Sequence, residues 1–203
     1  MPNAMKPIIF STPMVKAILD GRKTQTRRVI KIDDAPENWR KSLAGTSVVR
    51  ASPYDVRLSR YKPSDILWVR ETWQYLAPWS EDESHVEWEK GKYYYAADGT
   101  PNITITDGDG FRQGNFAWRP SIFMPREATR IFLRVTEVRV ERLQDISYDD
   151  CLQEGMHDYG TDVDTLGAFQ DLWQKLNAKR GYGWDTNPWV WVISFERIES
   201  PGE

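Results

Sequence analysis

Between Asp20 and Arg28 the chain reads Asp-Gly-Arg-Lys-Thr-Gln-Thr-Arg-Arg, placing four cations and two threonine hydroxyls in nine residues. From Lys16 to Lys31 six lysines and arginines stand against one acid, Asp20. The whole chain carries a net charge of -3, so the cluster is a local feature and not a by-product of composition. A cationic stretch next to a turn suits an anionic or polar ligand, for which Gly21, Arg22, Arg27 and Arg28 are the candidates. A solvated strand end dressed with salt bridges is the alternative, and charge alone leaves both open.

Other chemistries find less support. One cysteine, two distant histidines and no Cys-x-x-Cys or His-x-x-x-His spacing give no zinc pattern, and no metal is expected. Neither a phosphate-loop nor a dinucleotide-binding glycine motif occurs, so no cofactor is expected. The acid pairs Asp107/Asp109 and Asp149/Asp150 read as a turn and a helix N-terminus. His85 and His157 sit in polar surroundings and read as surface residues. Ten tryptophans and nine tyrosines supply rings both for a core and for stacking on bases.

The elements that would position the cluster are legible. A strand over Pro7–Phe10 leads to Ser11-Thr12-Pro13, a helix start with Thr12 as cap and Pro13 in the first turn. Met14, Val15, Ile18 and Leu19 form one apolar face, and Gly21 stops the helix. Arg22 to Arg28 then leaves the helix as an extended segment. Pro36, Gly45 and Pro53 interrupt the next stretch. Lys62-Pro63-Ser64-Asp65 is a turn before a strand, Ile66–Trp73, apolar on both faces and therefore central.

Residues 74–125 are rich in Gly, Pro, Asp and aromatics and read as an insertion. Short strands are expected there near 92–97 and 115–118. Arg130–Leu143 is a long strand whose apolar alternation changes phase near Thr136-Glu137, the mark of a bulge. Ser147-Tyr-Asp-Asp150 opens a short helix in capping-box style. Residues 164–179 form a second helix with Leu166, Phe169, Leu172, Trp173 and Leu176 as its stripe. Trp189–Glu196 closes as a strand. This order predicts an α+β fold with a partly closed β-barrel in one domain, 5–198, carrying 74–125 as the insertion.

These residues resemble the ASCH domain of the PUA-like superfamily. The likeness rests on the helix followed by Gly21-Arg22-Lys23, the Ser64-Asp65-Ile66-Leu67-Trp68-Val69 unit and the final strand. Phe10–Val15, Ile18–Arg28, Trp68–Trp73, Pro120–Pro125 and Asn187–Trp191 look like the larger ASCH proteins carried by phages and prophages. The resemblance implies a small PUA-like barrel with helices at its openings and a cleft for RNA or nucleotides. Of the usual Gly-x-Lys-x-x-Glu-x-Arg motif, Gly21, Lys23 and Arg28 match and Thr26 replaces the glutamate. The Lys-x-x-Thr form resembles a shorter bacterial branch that hydrolyses N-acetylcytidine. That likeness makes Lys23, Thr26 and Glu154 the catalytic candidates.

Amide hydrolysis needs a nucleophile, a proton acceptor and donors for the oxyanion. Thr26 attacks only if Lys23 is neutral, which nearby arginines and desolvation would favour. Because they are three apart, Lys23 and Thr26 face opposite sides of a flat strand, so a turn after Gly21 must bring them together. The competing reading makes Lys23–Glu154 a structural ion pair. A binding module would hold phosphates on the cations, extended by Arg70 and Arg126, with Trp68, Trp73 or Tyr54 stacked on a base. Core burial is the competing reading for Trp68 and Trp191. A ribonuclease or an accessory protein of phage development are further alternatives. The single cysteine fits a reducing, cytoplasmic setting. No run of about 20 apolar residues suggests a membrane partner.

Overall fold

The computed structural model describes residues 5–31, 58–78, 80, 82, 84–85, 87–101, 105–107, 110–112 and 117–201, with backbone only over 105–112. Tyr54, Pro36, Gly45 and Pro53 lie outside the described residues. A mixed sheet organises the chain. Its strands are β1 (Lys6–Ile9), β2 (Gln25–Val29), β3 (Ile66–Arg70), β8 (Phe132–Arg142) and β9 (Trp189–Ile198). Their spatial order is β1-β3-β8-β9-β2. β1 and β3 run parallel, and the other pairs are antiparallel.

Helix α1 (Thr12–Leu19) joins the two edge strands. Ser11 occupies its N-cap, one residue before Thr12, and makes no side-chain capping bond. The helix ends as expected, with Gly21 at φ +74°. The long strand β8 carries the expected irregularity: Val135 pairs with Phe195 and Glu137 with Ser194, so Thr136 is the extra residue. Thr136 and Glu137 both face outward, which keeps Leu133, Val135, Val138 and Val140 buried despite the change of phase.

β9 divides the core. Ile193 and Phe195 join Phe10, Val15, Leu67 and Leu133 on one face. Val190 and Val192 face the helices α2 (Tyr148–Gln153) and α3 (Asp162–Asn177), packing with Cys151, Phe169 and Trp173. Burial of that thiol raises the Cys151 pKa to about 11, so it stays protonated and inert. The Ser147/Asp150 capping box of α2 forms as the sequence predicts. α3 starts earlier than expected, capped by Thr161.

The expected strand over 66–73 divides in two. β3 stops at Arg70, and β4 (Trp73–Leu76) leaves the sheet to pair with β5 (Lys92–Tyr95). A second hairpin joins β6 (Ile105–Asp107) to β7 (Gly110–Arg112). Of the strand expected near 115–118, residues 115 and 116 lie outside the described residues; Trp118 is not in a strand, and Arg119 forms an isolated bridge with Trp73. The first hairpin packs Trp73, Tyr75, Tyr93 and Tyr95 against Met124 and Ala128. Arg130 fastens this part to the sheet. It meets the buried Glu71 through two bonds of 2.9 and 3.0 Å and Asp98 at 2.7 Å.

The α+β class follows directly, and the sheet is not closed into a barrel. Among the described residues β1 and β2 share no ladder. Instead the Arg28 guanidinium, on β2, donates to the carbonyl of Ile9, on β1, at 2.8 Å. A side chain thus ties a seam that backbone pairing leaves open. No helix of the described chain is long and apolar enough to cross a membrane.

Candidate functional site

The positive φ of Gly21 turns the chain back so that Arg22 and Lys23 both donate their backbone N–H to Ala17 at 2.9 Å. Lys23 lies before β2, in an isolated bridge with Glu154, so strand alternation does not govern its direction. Its side chain enters the interior, as does that of Thr26. Lys23 Nζ donates to Gln25 O at 2.8 Å, Glu154 O at 2.7 Å and Glu154 Oε2 at 2.8 Å. All three ammonium protons are therefore matched to acceptors. Burial pushes the Lys23 pKa below its ordinary value, while the Glu154 charge and hydrogen bond oppose that and Arg28 and Arg27 add to it.

Glu154 is shared. Its Oε1 accepts from Arg27 at 3.2 Å. Arg27 also meets Glu141 at 3.2 Å and Asp150 at 3.1 Å. Arg139 donates to Asp150 Oδ1 at 2.9 Å and to Gln25 Oε1 at 3.0 Å, and pairs with Glu141. Burial alone would raise the Asp150 carboxyl. The Ser147 N–H, Arg27, the Ser147 hydroxyl and Arg139 outweigh it and hold it below the ordinary carboxylate value. Across the sheet Arg27 and Arg139 flank Val192 in register, so β2, β9 and β8 bring both guanidiniums to the face covered by α2.

The candidate residues divide among three places. Thr26, Arg27, Arg28 and Glu154 line one pocket of about 330 Å³ against α3, and Lys23 is sealed from it. The Thr26 hydroxyl makes no hydrogen bond among the described residues. Gly21 and Arg22 lie apart, in a depression lined by Leu152, Met156 and His157. There Arg22 bonds to Gly155 O and Asp20, each at 3.0 Å. Trp68 does not serve as an open stacking ring. It is 9% exposed on a strand covered on both faces, with Arg70 over its ring at 5.2 Å. Arg126 touches Met5 and lines none of these cavities.

Four cations outside any ion pair among the described residues gather at the seam. A cleft of about 670 Å³ between β1 and β2 is lined by Arg28, Lys31, Arg60 and Arg70 together with Tyr61 and Trp191. No carboxylate lines it among the described residues. None of the four cations forms an ion pair among the described residues; Arg28 and Arg70 donate to the carbonyls of Ile9 and Met124 and lie over the Phe10 and Trp68 rings. Burial raises the Tyr61 phenol above its ordinary pKa, against the pull of Arg60 and Arg28. Sequence reasoning reached Arg28 and Arg70 but missed Lys31 and Arg60, which join the others only when the sheet curls.

This is an α+β protein with a cationic cleft at the seam of a sheet that is not closed. No family model matches the chain, and no curated protein does. Two solved structures follow a similar path. One is an ASCH domain from Lactobacillus crispatus, 12% identical, with 97% of this chain and 80% of that one covered and a TM-score of 0.43. The other is an Enterococcus faecalis protein described by the family model DUF984. It is 10% identical over 91% of this chain and 66% of that one, with a TM-score of 0.41.

Proposed function

We propose that this protein binds RNA or a nucleotide in the seam cleft. The observation that carries the reading is the gathering of Arg28, Lys31, Arg60 and Arg70 around one concavity, with no carboxylate among the described residues that line it. Like charges held together repel, and phosphates relieve that repulsion while releasing counterions. Trp191, half-buried on the same wall, suits an unstacked base, which single-stranded RNA offers and a duplex does not, whereas Tyr61 is buried in the core. The ASCH resemblance of Gly21–Arg28 supports the same class of ligand.

Titration of a labelled single-stranded RNA at several salt concentrations tests this. Affinity should fall as salt rises. Arg60→Ala should weaken binding and flatten the dependence by about 0.7 in the log–log slope. Binding indifferent to salt, or an Arg60→Ala variant equal to wild type, removes the reading.

A second reading is amide hydrolysis of N-acetylcytidine in the smaller pocket. Three observations favour it: Thr26 and Glu154 share that pocket, the Thr26 hydroxyl has no protein partner among the described residues, and burial depresses the Lys23 pKa. Thr26 Oγ would add to the acetyl carbonyl as its proton passes to a neutral Lys23 amine. The C–N bond would then break, the leaving nitrogen would take up that proton, and water would release acetate. The three acceptors around Lys23 Nζ oppose the neutral amine this needs. Cytidine release from N-acetylcytidine is the assay. No turnover, or equal turnover by Lys23→Ala, ends the hydrolase reading and leaves the binding one intact.

A further inference from the structure

The pocket against α3 has features that the seam cleft does not use. Arg27 is 1% exposed at its side chain, and its Nε–H is buried without an acceptor. A buried donor without an acceptor is unfavourable to the fold. Arg28 and Arg180 both line the pocket, and neither pairs with a carboxylate among the described residues. They are near enough for the Arg180 charge to act on Arg28. Beside them Leu172 and Leu176 continue the wall of Phe169 and Trp173, and Leu176 is 49% exposed, a large value for a leucine on a cavity wall. Charge repulsion and an uncovered apolar wall fall within one cavity of about 330 Å³, a size that suits a single small ligand.

We propose that this pocket takes a nucleoside monophosphate. Its phosphate sits between Arg28 and Arg180, and its sugar and base lie against the α3 wall. The proposal rests on the RNA-or-nucleotide reading and narrows it, because it makes one phosphate the recognised group and gives α3 a part in binding. Inorganic phosphate would satisfy the arginines and leave the Leu176 wall wet. A nucleoside would cover the wall and leave the arginines unmatched. Arg28 borders both cavities, so a nucleotide held here lies beside the seam cleft.

Calorimetric titration of the full chain with CMP, UMP, AMP and GMP, their nucleosides and inorganic phosphate provides the test. At least one monophosphate should bind ten-fold or more tightly than both its nucleoside and inorganic phosphate. Arg180→Ala should erase that advantage. Arg180 is exposed and makes no side-chain bond among the described residues, so its loss should leave the melting temperature unchanged. Leu176→Glu, which sets a negative charge on the wall, should weaken the monophosphate by a similar factor. Monophosphate no tighter than nucleoside, inorganic phosphate equal to monophosphate, or an indifferent Arg180→Ala each overturns the assignment. If salt-sensitive, Arg60-dependent RNA binding persists in that event, only the pocket assignment falls. If RNA binding is absent too, the nucleotide reading falls with it.

Discussion

Glu154 supports more of this structure than one carboxylate ordinarily does. Its two oxygens receive Lys23 and Arg27, both withdrawn from water. Removing it leaves the buried Lys23 without a carboxylate and takes one of three from Arg27, and breaking such a buried pair costs about 3–5 kcal/mol. Glu154→Ala should therefore lower stability by that amount in urea denaturation. In a double-mutant cycle the loss should shrink when Lys23 is methionine. A cost under about 1 kcal/mol would mean that the pair contributes little to the fold. Asp150 adds a pH dependence. Its folded pKa lies below the ordinary 3.8, so its contribution is fully present above that value and fades as pH falls through the lower folded one. Stability measured between pH 5 and 2 should drop less steeply in Asp150→Asn than in wild type.

At the level of elements, the meeting of two helix ends positions the site. Gly21 ends α1 and Gly155 follows α2, both with positive φ. They differ in their surroundings. A Cβ on Gly21 would meet open space, whereas one on Gly155 would lie 2.8 Å from Ala17 Cβ and 3.0 Å from Lys23 Cβ. Gly21→Ala should cost about 1 kcal/mol from backbone conformation alone. Gly155→Ala should cost more, because it also forces the Lys23–Glu154 bridge apart. Chemical denaturation of the two variants checks the order, and equal losses would show that the close approach is unimportant. The capping box of α2 belongs to the same junction, since Asp150 serves both Ser147 and the guanidiniums.

Across the whole molecule, cohesion is greatest where β8 and β9 pair over ten positions and weakest at the seam, where one guanidinium spans β1 and β2. Amides in the centre of β8 and β9 should exchange most slowly, and those of β1 and β2 should exchange faster. Hydrogen-exchange mass spectrometry reads this directly. Arg28→Ala should accelerate exchange in β1 and β2 with little change in β8. Uniform protection across all five strands would contradict a seam held by a side chain.

Much of this was present in local sequence because short-range physics decides it. Gly21 as a helix stop, the Ser147/Asp150 cap, the bulge at Thr136 and the outward-inward pattern of β8 need only the neighbouring residues. The cationic ribbon and its pairing with Glu154 were legible through the motif that Lys23 and Thr26 carry. Assembly of the charges was not legible. Arg139, Asp150 and Glu141 reach Arg27 only because β8, β9 and β2 are neighbours, and Arg60 and Lys31 join Arg28 only where the sheet's edges approach. Trp68 read as ring or as core until the folded chain left it 9% exposed beneath Arg70. Periodicity and capping are settled over a few residues, whereas which charge meets which depends on strand order and curvature, and those are properties of the folded chain alone.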